Sequence, residues 1–353
     1  MNDWLAALRT ALAAGTPAVL VTVASVDGSG PREAGAKMLV TRDAAFDTIG
    51  GGHLELRACE IARQMLTADG GRRLERFALG PSLGQCCGGV VQLAFEHIDA
   101  VQRGHVELLA GRRQRREDSW RVVALDADLA PALTDAGGAV LAGTLPVPLA
   151  GFDRACGCHL LRDPGGGRWL VDPCLAWRAQ LLLFGAGHVG AAIVRALTEL
   201  PCHVTWIDER EELFPDAVPA NVTLEATDTP EALAAAAPAG ASYLVMTHSH
   251  ALDQRLAEAI LKREDAGWFG LIGSKTKRMH FEHRLRERGV APERLARMVC
   301  PIGLPGIAGK APAVIAASVC AQLLQVWEQE AKQPRALALS NQGARRIGNP
   351  VGL

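Results

Sequence analysis

The sequence has almost no net charge: 37 basic residues stand against 38 acidic ones, a formal charge of −1 over 353 residues. That balance excludes the chain-wide positive field that recruits nucleic acid or an anionic membrane, so any anion binding must be local. Cysteine is scarce, with nine residues, too few and too scattered for a small disulfide scaffold, and reduced thiols in the cytoplasm are expected. No apolar run reaches about 18 residues free of charge, which leaves no candidate membrane span. Residues 1–14 set Trp4, Leu5, Leu8 and Leu12 on one helical face beside Asp3 and Arg9. They carry no basic stretch followed by a cleavage site, so no secretory signal is expected. What is present is 49% hydrophobic residues, enough for two domains with cores of ordinary size.

Two kinds of pattern follow one another along the chain. Ala18–Val26 is predicted as a buried strand, broken by Gly28-Ser29-Gly30-Pro31, with Lys37–Thr41 as its return. A short strand over Phe46–Ile49 runs into Gly50-Gly51-Gly52, which opens a helix over His53–Leu66. Phe77–Leu79 and Val90–Phe95 read as strands on either side of the glycine-rich stretch Gly80–Gly89. Val101–Arg116 reads as a helix whose basic end (Arg112, Arg113, Arg115, Arg116) is a solvated face, and prolines and glycines beyond it mark turns between short strands. Asp163–Gly167 is a hairpin turn, and the main boundary falls between Pro173 and Ala179.

After it the period changes to strand, helix, strand. Gln180–Phe184, His203–Ile207, Ser242–Thr247 and Trp268–Ile272 are strands; Val189–Glu199, Pro230–Ala236, Leu252–Arg263, Thr276–Arg288 and Pro312–Gln329 are helices. That alternation predicts a parallel doubly wound sheet with right-handed crossovers. The fold class is α/β: a C-terminal Rossmann-like doubly wound parallel sheet over 179–332 plus an N-terminal α+β domain over 1–100. A middle segment of short strands covers 101–178, and 333–353 is a polar tail expected to be loosely ordered.

Gly185-Ala186-Gly187-His188-Val189-Gly190 follows an apolar strand and opens an apolar helix. Such glycines permit a tight turn, close approach of backbone N–H groups to a phosphate, and strand–helix contact. Asp208 ends the next strand, near the spacing of about 20 residues at which a carboxylate meets a ribose hydroxyl. The pattern points to a nucleotide or pterin phosphate; the bland alternative is a Rossmann fold whose glycines serve packing alone. Thr247-His248-Ser249-His250 with Asp253 sits where a strand becomes a helix; ligand contact, metal ligation and plain capping all stay open for His248 and His250. Gly273-Ser274-Lys275-Thr276-Lys277-Arg278 starts another helix. Cations oppose the helix dipole there, which favours an oxyanion held by Ser274, Lys275, Lys277 and Arg278. Pro301–Lys310 is one more glycine-rich loop before a helix.

In the first half, Gln85-Cys86-Cys87-Gly88-Gly89 sets two adjacent thiols between glycines. A thiolate there is a soft ligand for a transition metal, or a persulfide carrier; small buried cysteines are the alternative. Cys156, Cys158 and Cys174 match no strong zinc spacing. Arg32 and Lys37, with the glycine-opened helix at Gly50–Gly52, suggest another oxyanion site.

Taken together, GSGPREAGAKM at 28–38, TIGGGHLE at 48–55, LGQCCGG at 83–89, FGAGHVG at 184–190, MTHSHALD at 246–253, GLIGSKTKR at 270–278 and PIGLPGIAGKAPAVIAASVCAQLL at 301–324 resemble the XdhC/CoxI family, accessory proteins of xanthine dehydrogenase and related molybdenum hydroxylases. The resemblance implies a cytoplasmic chaperone rather than an enzyme. It would bind the molybdenum cofactor (molybdopterin), protect it while a cysteine desulfurase supplies the terminal sulfido ligand, and insert it into apo xanthine dehydrogenase. It implies Cys86 or Cys87, beside Gln85, as the thiol on molybdenum, and Gly185, Gly187, His188 and Gly190 as the phosphate loop. Asp208, His248, His250, Ser274, Lys275, Lys277 and Arg278 are further candidate cofactor contacts by the residue patterns above. Xanthine dehydrogenase, the desulfurase and a second copy of the chain are the expected partners. Asp208 reads as a ribose contact, yet the plain cofactor has no ribose; a dinucleotide form, a separate nucleotide, or a carboxylate without a ligand role all remain open. The alternative function is an NAD(P)-dependent oxidoreductase with His248 or His250 as general acid; a pure interaction protein comes third.

Overall fold

Helix α1 (Trp4–Ala13) starts where the Asp3 carboxylate accepts from Leu5 N at 3.2 Å, and it buries Leu5, Leu8 and Leu12 along one stripe. The computed structural model to which it belongs describes residues 3–68, 70–80, 88–145, 152, 154, 156–177 and 179–332. The chain divides into two units, Met1–Arg178 and Ala179–Leu353. Among the described residues no helix is long and apolar enough to cross a membrane.

After α1 the first unit runs β1 (Ala18–Asp27), β2 (Lys37–Val40), β3 (Ala45–Asp47), α2 (Gly52–Thr67), β4 (Arg72–Ala78), β5 (Val90–Ile98), α3 (Arg103–Gln114), β6 (Ser119–Ala124), β7 (Ala132–Thr134), β8 (Val140–Ala142), β9 (His159–Arg162) and β10 (Arg168–Cys174). It forms two antiparallel sheets, ordered β3-β2-β1-β5-β4 and β8-β7-β6-β10-β9. Strand β1 has no polar alternation because both its faces are covered. Val19, Val21 and Val23 pack with Leu54, Ala58 and Ala62 of α2, whereas Ala18 and Leu20 pack with α1 and with Val106 and Leu109 of α3.

Among the described residues of this unit, four charged side chains are buried: Lys37, Glu96, Arg121 and Asp172. Arg121 and Asp172 face each other across the β6–β10 ladder, with Nη1 and Oδ2 2.9 Å apart. Arg121 Nη2 also donates to Glu96 Oε2 at 2.7 Å, and Lys37 Nζ donates to Asp172 Oδ1 at 2.6 Å and to Gly35 O at 2.9 Å. Two cations and two anions make a neutral set that fastens strands of the first sheet to strands of the second. Burial works against the Lys37 ammonium, but the charge and hydrogen bond of Asp172 together with the neighbouring Cys174 and Cys158 outweigh it, and the net shift is upward. Lys37 is therefore not an oxyanion ligand, as its place beside a glycine loop suggested; its anion is Asp172 of a strand distant in sequence.

The second unit runs β11 (Ala179–Phe184), α4 (His188–Ala196), β12 (Cys202–Asp208), β13 (Val222–Ala226), α5 (Pro230–Ala236), β14 (Ser242–Val245), α6 (His250–Lys262), β15 (Phe269–Leu271), α7 (Lys275–Glu287), α8 (Pro292–Leu295), β16 (Met298–Val299) and α9 (Pro312–Lys332). All six strands are parallel, in the order β13-β12-β11-β14-β15-β16, the Rossmann order. Leu181 and Leu183 of β11 point into a core with α4 and α9, and Leu182 and Phe184 into one with α5, α6 and α7. Strands buried on both faces read as unbroken apolar runs. The strand order reverses between β11 and β14, so the loops after those strands open into the crevice where such sheets bind ligands.

Removing one member of the buried charged set leaves another without its partner, which costs on the order of 3–5 kcal/mol. Arg121→Leu should therefore lower the melting temperature of the protein by on the order of 10 °C in scanning calorimetry. A change of less than about 2 °C would show that the set contributes little.

Candidate functional site

Each glycine of the loop after β11 has a distinct physical role. Gly185 has φ +122°, and a Cβ there would stand 2.5 Å from Met246 O. A Cβ on Gly190 would stand 2.1 Å from Gly185 O, so only glycine lets the first turn of α4 lie against the loop. A Cβ on Gly187, the residue that caps α4, would meet nothing within 4 Å. No side chain caps α4 and no acidic residue lies in its first turn, so its leading N–H groups and positive dipole end are not neutralised by the helix's own residues. His188 is exposed at the first helical position.

Asp208, at the end of β12 and 7% exposed, reaches back to this loop. Its Oδ2 accepts from Ala186 N at 2.6 Å and from Arg210 Nη2 at 3.0 Å; its Oδ1 accepts from Arg210 N at 3.0 Å and Nε at 2.9 Å. Burial acts to raise the Asp208 pKa, but the Arg210 guanidinium and the Ala186 N–H outweigh it and hold the carboxyl below the usual range. A carboxylate has about four acceptor positions, and the chain itself occupies all of them.

The loop after β14 is fixed in the same manner. Asp253, fully buried in the first turn of α6, accepts from Thr247 N at 3.0 Å and Thr247 Oγ1 at 2.7 Å through Oδ1. Its Oδ2 accepts from Lys277 Nζ at 2.7 Å, and Lys277 also donates to Ile272 O at 2.9 Å. Lys277 thus bolts the loop after β15 to the loop after β14. Arg278 Nε donates to Glu282 at 2.6 Å, and Ser274 caps α7 by accepting from Lys277 N at 3.2 Å. Lys275 is exposed, with no ion-pair partner among the described residues. The cationic first turn of α7 implied an external anion, but two of its three charges are neutralised by Asp253 and Glu282. His248 is half-exposed with Nε2 3.5 Å from Glu209 Oε1, and His250 is exposed at the first position of α6. No three His, Cys, Asp or Glu side chains among the described residues gather as a metal site.

In the first unit, three glycine loops meet at one edge of the β3-β2-β1-β5-β4 sheet. A Cβ on Gly89 would lie 2.2 Å from Ser29 O, and one on Gly50 would lie 2.5 Å from Pro31 Cβ. Leu79 N donates to Gly89 O at 2.8 Å, which ties together the two flanks of the thiol segment. Gln85, Cys86 and Cys87 themselves lie outside the described residues. Gly50, Gly51 and Gly52 have φ of 119°, 75° and 66°, a run of left-handed conformations that strongly favours glycine. Glu55 sits in the nest they make, its Oε2 accepting from Thr48 Oγ1 at 2.6 Å, Ile49 N at 3.2 Å and Gly51 N at 3.0 Å. The oxyanion foreseen at this glycine-opened helix is thus the protein's own carboxylate, and Arg32 pairs with Glu33 and Thr48 O. Cys156 is exposed, Cys158 is buried, and burial together with the charge of Asp172 pushes the Cys174 thiol up to about 12. Neither Glu55 nor the buried charged set was legible as part of a site, because nothing in the local sequence names the distant partner.

Two family models match the chain: one described as the XdhC and CoxI family over residues 11–78, and one described as the XdhC Rossmann domain over residues 181–323. The Escherichia coli (strain K12) protein YqeB is 33% identical over 165 residues, which are 46% of this chain and 30% of that relative. The chain therefore spans less than a third of the length of that protein. A crystal structure described as a xanthine dehydrogenase from Bacillus halodurans shares the fold, with a TM-score of 0.75 at 21% identity over 94% of this chain and 98% of that one. The NAD(P)-binding domain of an exopolyphosphatase-related protein from Archaeoglobus fulgidus matches at a TM-score of 0.27 and 16% identity, over 44% of this chain and 98% of that one.

Gly185→Ala should destabilise the protein by on the order of 1–3 kcal/mol, whereas Gly187→Ala should change stability by less than about 0.5 kcal/mol; equal effects in urea unfolding would contradict the roles given to these glycines. Asp208 has a lowered pKa, so its stabilising effect is full above the ordinary aspartate value of about 3.9 and disappears as pH falls through its lower folded value. Melting curves should show Asp208→Asn less stable than wild type at pH 7 and the difference closing below about pH 3.

Proposed function

Because the chain belongs to the XdhC and CoxI family, we propose that it is a maturation factor of xanthine dehydrogenase, without turnover of its own. It takes up the molybdenum cofactor, holds it while a cysteine desulfurase supplies the terminal sulfido ligand, and delivers it to the apo-enzyme. In this reading it works in the cytoplasm as a homodimer. The observation that carries the reading is the meeting of three glycine loops around both flanks of the Cys86–Cys87 segment, at one edge of the first sheet. A thiolate is the soft ligand that molybdenum takes, and adjacent thiols between glycines let backbone approach a bulky pterin closely.

The second unit, taken by itself, supports a phosphate ester as ligand. Gly187 leaves space where other residues would place a side chain, and the start of α4 lacks a neutralising group of its own. The exposed Lys275 and His188 supply further donors at the carboxyl edge of the sheet. The cargo brings the molybdenum chemistry; the chain binds it, orients it and shields it from water. The nicotinamide-dependent alternative has less support, because it needs Asp208 free to accept from ribose hydroxyls, and the acceptor positions of Asp208 are occupied.

Protein purified anaerobically from cells that make the cofactor should carry molybdenum and fluorescent oxidised pterin in near-stoichiometric amount. Cys86→Ala with Cys87→Ala should carry less than about a tenth as much. Equal loading of the two would refute the thiol assignment, and the absence of both from wild type, with cofactor supply verified, would refute carriage.

A further inference from the structure

We propose that Arg210 sets the selectivity of the crevice in the second unit, by holding Asp208 so that the ligand's phosphate is accepted and an attached adenosine is refused. This deepens the functional reading above and rests on it in one respect, that the crevice at the start of α4 is a ligand site. In a sheet of this order, the acidic residue at the end of the second strand binds a dinucleotide by accepting from the ribose hydroxyls. Asp208 holds that position but is committed elsewhere: Arg210 supplies three of its four donors, two from the guanidinium and one from the backbone, and Ala186 N the fourth. A ribose would have to displace a bidentate guanidinium from a carboxylate that is 7% exposed, and such paired contacts are among the stronger hydrogen bonds in proteins.

The space beside Asp208 gives an independent reason. The cavity bounded by Gly185, Asp208, Glu209, Pro230, Thr247 and His248 measures about 10 Å³, room for no more than one water. His248 and Glu209 stand 3.5 Å apart at this cavity. As it stands, the cavity is too small to enclose an adenosine. The phosphate-facing side is not obstructed in the same way, since a Cβ on Gly187 would meet nothing within 4 Å. The crevice therefore favours a phosphate monoester over a nucleotide diphosphate, and the guanidinium of Arg210 is the removable part of the barrier. Its side chain is 33% exposed, so it can be replaced without opening the core.

Titration calorimetry on the full chain with ADP-ribose, NADH and inorganic phosphate tests this. Wild type should bind ADP-ribose and NADH only weakly, with dissociation constants above about 1 mM. Arg210→Ala and Arg210→Gln, which free two acceptor positions on Asp208, should bind ADP-ribose at least about tenfold more tightly, with phosphate affinity within about twofold of wild type. Arg210→Lys, which keeps a cation against Asp208, should stay near wild type, a rescue that a loss of folding would not produce. The proposal is overturned if wild type binds ADP-ribose as tightly as Arg210→Ala does, or if neither the Ala nor the Gln variant gains affinity while phosphate binding persists. The molybdenum and pterin content of the wild-type protein is read separately, so failure of the selectivity leaves carriage standing, and the reverse.

Discussion

Carboxylates that accept backbone N–H groups from glycine-rich or turn segments hold this structure in working order. Asp208 fixes the loop after β11 through Ala186, Asp253 fixes the loop after β14 through Thr247, and Glu55 fills the nest made by Ile49 and Gly51. Glycine gives a loop the path it needs and removes the restraint that would hold it there. A buried or half-buried charge close to the open amides restores the restraint, and charge-assisted hydrogen bonds of this kind are about twice as strong as neutral ones. The same device explains why cations gather nearby. Lys277 and Arg210 are counter-charges to the clamping carboxylates before they are anything to a ligand.

This arrangement divides the edge of the second sheet into a closed part and an open part. Where Asp208, Arg210, Glu209 and His248 stand, the Arg210–Asp208 hydrogen bonds and the 3.5 Å approach of His248 Nε2 to Glu209 Oε1 narrow the surface. At Gly187, His188 and Lys275 it offers exposed donors, the side chains of His188 and Lys275 having no partner among the described residues. A site pre-ordered in this way loses little entropy on binding, which suits the cofactor carriage proposed above. The first unit has the matching construction: its glycine loops are fixed by Glu55, and the buried set of Lys37, Asp172, Arg121 and Glu96 fastens its two sheets.

Strands buried on both faces and helices opened by proline were the legible ones. Strands β1, β11 and β14 and helices α5 and α9 stand close to where apolar runs, proline and periodicity place them. Strand β13 escaped because it lies at the sheet edge and fully buries only Val222, and β16 because it is two residues long. Of the site, the glycine spacing was legible because the pattern is local, Gly185 and Gly190 meeting within one turn, whereas the contact of Gly185 with Met246 after the neighbouring strand is distant in sequence. The charge pairing was not. Lys37 and Asp172 are 135 residues apart and Lys277 and Asp253 are 24 apart, so each cation read alone implies an external anion. Asp208 shows the same limit, for its position follows the dinucleotide pattern while its hydrogen bonds turn inward.

In the proposed role, a cargo held by the chain passes to its target enzyme. The direct measurement is reconstitution of molybdenum-free apo xanthine dehydrogenase with the anaerobically loaded protein, in the presence of a scavenger that destroys free cofactor. Recovery of xanthine oxidation, with molybdenum leaving the carrier in proportion, is the predicted result. Activity that stays at the level of apo-enzyme alone while the cofactor remains bound, or recovery that the scavenger abolishes, would contradict it.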